Sequence, residues 1–70
     1  MSVADLERMA NQIALNQSFL PDDEAAAVVA THIVAFWTPG MRRELAAAVD
    51  DGTIQLNAVA RLAAQQLQPA

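Results

Sequence analysis

A chain of 70 residues with eight acidic side chains against four arginines, no lysine and a formal charge of −4 has the wrong sign to neutralise a phosphate backbone. With no cysteine and one histidine, it also lacks the donor set for a disulfide staple, a structural zinc or an iron-sulfur cluster. A scaffold this short buries only about 60% of the surface its unfolded chain exposes, so a partner chain is the stabiliser left to it.

The start, Met1-Ser2-Val3-Ala4-Asp5-Leu6-Glu7-Arg8, has acids where a signal peptide needs bases and no glycine at position 2 for a myristoyl chain. Periodicity then places a helix from about Val3 to Ser18, with Val3, Leu6, Met9, Ala10, Ile13 and Leu20 on its inward side. Pro21 blocks continuation, and Asp22, Asp23 and Glu24 put negative charge at the start of the next helix, where the macrodipole favours it. That second helix is expected from Asp22 to Trp37, with Ala25, Val29, Ile33 and Phe36 facing inward. Its uncharged apolar run, Ala25 to Trp37, falls well short of the roughly 18 to 20 residues needed to cross a bilayer. No membrane contact and a cytoplasmic location are the expectation.

Thr38-Pro39 marks a restart, with threonine as N-cap and proline at the first helical position. The third helix carries Met41, Leu45, Ala48 and Val49 on one face and stops at Asp51-Gly52. A weaker fourth segment has Asn57 as its cap and Val59, Leu62, Ala63 and Leu67 as its stripe, with fraying from about residue 68. The whole reads as one all-α domain over residues 1–70, a small bundle of three to four short helices.

The second helix holds the most informative pattern. Val28 and Val34 lie off its inward stripe, and only Thr31 and His32 interrupt the apolar run. A helix that is apolar nearly all round is normally buried nearly all round, and three other short helices can hardly enclose it. Surface alanines alone inflate such a pattern, but the valines do not fit that account, and a docking face is the reading adopted. Trp37 suits either core or a binding anchor. Arg42 and Arg43 oppose the dipole of the third helix and find local partners only in Glu24 and Glu44, which suits either a solvated face or a clamp on an acidic patch of a partner. Val28, Val34, Trp37, Arg42 and Arg43 are therefore the candidate partner-binding residues.

Nothing in the chain points to catalysis. A lone His32 would have to serve any triad, no glycine-rich turn presents a nucleophile, and phosphate-cradling glycine motifs are missing. His32 reads as an ordinary helix residue, and the Asp22-Asp23-Glu24 run as helix-start chemistry, without the alternating ligands of a calcium loop. No catalytic, cofactor-binding or metal-binding residue is assigned.

Taken together, Arg8-Met9-Ala10-Asn11-Gln12-Ile13-Ala14, the acidic start Pro21 to Ala25, Thr31-His32-Ile33 and Phe36-Trp37-Thr38-Pro39-Gly40-Met41-Arg42 resemble the delta subunit of the soluble, molybdenum-containing, NAD-dependent formate dehydrogenases. The likeness covers Leu6 to about Leu45 and is loose beyond Ala46. Family members commonly carry Asp where Thr38 stands and a bulkier or charged residue where Gly40 stands. The resemblance implies a non-catalytic accessory subunit that supports assembly, cofactor maturation or stability. It also implies that other subunits hold the molybdenum cofactor, iron-sulfur clusters and flavin and use NAD. The expected partner is the larger, molybdenum-carrying subunit, with a homodimer as the form of the isolated chain. Two other readings stand beside it. One is a free-standing helical adaptor; the other is a helix-turn-helix DNA binder, disfavoured because the third helix turns acidic at Asp50 and Asp51.

Overall fold

The computed structural model describes residues 2–67, and the fraying expected from about residue 68 lies outside them. Four α-helices follow one another: α1 Val3–Asn16, α2 Asp22–Phe36, α3 Pro39–Asp51 and α4 Ala58–Leu67. The all-α bundle expected from periodicity is the fold observed.

Each helix begins with a local device. Ser2 opens α1 with a capping box: its hydroxyl accepts the Asp5 N–H at 3.2 Å, and its own N–H donates to the Asp5 carboxylate at 3.2 Å. Arg8 pairs with the same carboxylate at 3.0 Å. In the first turn of α2, the Asp23 carboxylate accepts the Glu24 N–H at 3.0 Å. Thr38 caps α3 by accepting the Met41 N–H at 3.2 Å, with Pro39 in the first turn. Asn57 caps α4 by accepting the Ala60 N–H at 2.9 Å.

The helix ends are equally local. α3 stops in a Schellman arrangement, in which Gly52 at φ 71° donates to Val49 O and Thr53 donates to Ala48 O. α1 ends two residues before the expected Ser18. Its last turn tightens as Gln17 and Ser18 donate to Ala14 O and Leu15 O, which takes Ser18, Phe19 and Leu20 out of the helix.

One core joins all four helices, and among the described residues nine of the fifteen buried hydrophobic residues are alanine. Small side chains let helix axes approach closely, and α2 packs most extensively on α4. The α4 stripe is rotated for that reason. Ala60, Ala63 and Ala64 are buried, Val59 and Leu67 are partly buried, and Leu62 faces solvent. Large side chains fill the remaining space: Leu6 from α1, Val29 and Ile33 from α2, Leu45 from α3, and Leu56 from the loop before α4.

Asn11 locks that loop to α1. Its carboxamide donates to Gln55 O at 3.0 Å and accepts the Asn57 N–H at 2.8 Å, while its backbone carbonyl accepts from the Asn57 side chain at 3.2 Å. Glu7, one turn earlier, accepts the Gln55 N–H. The connection from α3 to α4 has no regular structure of its own, so these bonds supply its missing backbone partners.

Candidate partner groove

Phe36, expected on the inward stripe, is 74% exposed, whereas its neighbour Trp37, which suited either core or anchor, is 5% exposed and belongs to the core. The cause is the end of α2. Trp37 leaves helical geometry for φ −95° and ψ 145° as the chain prepares for Thr38-Pro39, and its indole turns into the corner between α2 and α3. Phe36 is left outside, against the His32 ring with centroids 4.7 Å apart and planes inclined at 42°.

These rings form one wall of a groove of about 760 Å³. Arg8, Met9, Gln12 and Ile13 contribute from α1, His32 and Phe36 from α2, Trp37 from the corner, and Met41 from α3. The floor is apolar, and two methionines give it adjustable contours. Charge is sparse, because the Arg8 guanidinium is engaged by Asp5. The volume is within the range of small-molecule and peptide-anchor sites. Sequence reasoning missed this groove, although both of its principal segments, Arg8 to Ala14 and Phe36 to Arg42, stood out as motifs. What the sequence could not give was that α1 lies beside the end of α2.

A family model described as "NADH-dependant formate dehydrogenase delta subunit FdsD" matches residues 5–64. The chain belongs to that delta-subunit family. No curated protein and no solved structure matches the chain. The matched span includes every residue that lines the groove. A side chain at the position of Gly40 meets no obstacle, since a Cβ there would touch only Thr38 Oγ1 at 3.8 Å.

Of the other sequence-derived candidates, Val28 stands one turn before His32, Val34 lies on the opposite flank of α2, and both arginines sit near the start of α3. Val28 is 42% and Val34 56% exposed, so both stay on the surface as expected. Arg42 has a local role that the sequence concealed. Its guanidinium donates to Val34 O at 3.3 Å, putting a cation on the C-terminal carbonyls of α2, where the dipole favours it. The corner thus brings Arg42 and Val34 together, but neither arginine uses Glu24 or Glu44, since Arg8 with Asp5 is the one ion pair among the described residues. Arg43 is exposed.

Among the described residues, no three His, Asp or Glu side chains converge on a point that could hold a metal ion. No helix among them is long and apolar enough to cross a membrane.

Proposed function

We propose that this delta-subunit chain is a non-catalytic accessory subunit of an NAD-dependent formate dehydrogenase complex, and that it receives an apolar segment of a larger subunit in the groove between α1 and the end of α2. The observation that carries this reading is the convergence of Arg8 to Ile13 with His32 to Met41 on one open, methionine-lined trough. Such a surface accepts the apolar anchors of a helix or extended peptide. It is poorly suited to the molybdenum cofactor itself, whose phosphates call for a cluster of unpaired cations, whereas the groove offers one arginine already engaged by Asp5. The molybdenum-carrying subunit is the expected contact. Redox groups and NAD then reside in the other subunits, and the chain contributes assembly or stability.

The test is co-purification of a tagged copy from its native host, comparing wild type with Phe36→Asp. Wild type should bring the molybdenum-carrying subunit with it, and Phe36→Asp should lose that subunit while keeping its helical circular dichroism. Equal recovery with the folded variant would overturn the groove as docking site. Stoichiometric iron, zinc or molybdenum in the purified chain would overturn the non-catalytic assignment.

A further inference from the structure

α2 keeps a second free surface that begins at Val28, one turn before His32, and runs round the helix to Val34 on the flank away from the groove. Ala27, Val28, Thr31, Val34 and Ala35 are all exposed there, and no charge interrupts them. Their one polar group, the Thr31 hydroxyl, is already spent on Ala27 O at 2.9 Å and asks nothing of a neighbour. Opposite charges bound the strip. Asp22, Asp23 and Glu24 stand in the first turn of α2, while Arg42 sits on the Val34 carbonyl at the other end with Arg43 beside it in sequence.

The strip is also symmetrical in sequence. Ala27 and Ala35 are each four residues from Thr31, and Val28 and Val34 are each three. A surface that pairs with itself about a two-fold axis must be self-complementary, whereas a dissimilar partner imposes no such order.

We infer that the occupant of this face is a second copy of the chain, with the two α2 helices antiparallel about an axis through Thr31. In that register Val28 faces Val34 of the other copy and Ala27 faces its Ala35. Each acidic helix start comes opposite the arginine-bearing end of its mate, and the helix dipoles oppose one another favourably. A single 15-residue helix face, roughly 22 Å long, buries little area. The dimer is therefore weak and reversible. No residue of the strip lines the groove, so this pairing does not depend on the docking reading.

The native chain has no cysteine, which makes a single engineered thiol a clean reporter. Thr31→Cys should form a disulfide-linked dimer on mild oxidation, and Glu44→Cys, exposed on α3, should not. Sedimentation of the unmodified chain should show a monomer-dimer equilibrium that shifts with concentration. Val34→Asp should weaken it at least tenfold. Glu24→Arg should weaken it too, and adding Arg43→Glu to that variant should restore it. A chain monomeric at every concentration, cross-linking no faster at position 31 than at position 44, or a dimer indifferent to the charge exchange would each overturn the proposal. Equal recovery of the larger subunit by wild type and Phe36→Asp, with the dimer intact, would count against the groove alone.

Discussion

Asn11 and Asn57 grip one another across the bundle, the Asn11 carboxamide oxygen accepting the Asn57 N–H at 2.8 Å and the Asn57 side chain returning a bond to Asn11 O at 3.2 Å. Because Asn57 also caps α4, one residue of α1 fixes where the last helix starts. Asn11→Ala strands the Asn57 N–H and frees Gln55 O, and should cost about 1 to 3 kcal/mol. Urea denaturation of Asn11→Ala, Asn57→Ala and the pair should give clearly non-additive losses. Strict additivity would show that the two side chains act separately.

Trp37→Ala should cost about 3 to 5 kcal/mol by emptying the α2 to α3 corner. A chain of this size holds only about 4 to 10 kcal/mol in total, so the variant should lose a large part of its stability and unfold at a much lower urea concentration. Trp37→Phe, which keeps most of the volume, should remain folded with a lower urea midpoint. An unchanged midpoint in both would mean that the indole does not pack as described.

Much of this architecture was legible in the sequence, because its causes are local. Thr38, Asn57 and Gly52 act within a few residues of themselves, and the α3 face of Met41, Leu45, Ala48 and Val49 follows from helical period alone. What period could not settle is which face of an alanine-rich helix turns inward, since alanine carries little preference either way. The rotated α4 stripe and the outward Phe36 both come from that ambiguity, resolved only by the close approach of α2 to α4 and by the turn of Trp37 into the corner. The local partner of Arg42 was hidden for a related reason. It is a backbone carbonyl eight residues earlier, visible only once the chain bends at Thr38-Pro39.

The two arginines should therefore separate cleanly. Arg42→Ala removes a cation and a hydrogen bond from the end of α2 and should cost about 0.5 to 1 kcal/mol. Arg43→Ala should stay within about 0.5 kcal/mol of wild type. Thermal midpoints at low and high salt would check this. Equal losses in both would assign the effect to net charge rather than to the Val34 carbonyl.

Asp5 makes the start of α1 sensitive to acid. Its carboxyl is held below the usual carboxylate value, first by the Ser2 N–H, then by the Ser2 side chain, with Arg8 adding attraction. As pH falls, the unfolded chain takes up its proton first, near ~3.9, so the stabilisation is complete above that pH and is lost as pH drops through the lower folded value. Asp5→Asn should lower the urea midpoint at neutral pH, and the gap to wild type should close below ~pH 3. A gap independent of pH would show that the capping carboxylate does not act through its charge.

Phe36 offers the sharpest separation of binding from folding, because a side chain 74% exposed contributes little to the core yet walls the groove. Phe36→Ala should leave the urea midpoint within about 0.5 kcal/mol of wild type. If the ring is a docking anchor, its loss should cost about 2 kcal/mol or more in binding to the molybdenum-carrying subunit, roughly 30-fold in Kd. The change should appear mainly as faster dissociation, since an apolar anchor holds a formed complex rather than steering its encounter. The low charge of the groove adds that raising the salt should barely alter the association rate. Biosensor kinetics on the folded variant can read all three quantities. Unaltered dissociation would remove Phe36 from the interface, and a steep salt dependence of association would move the contact to the charged ends of α2.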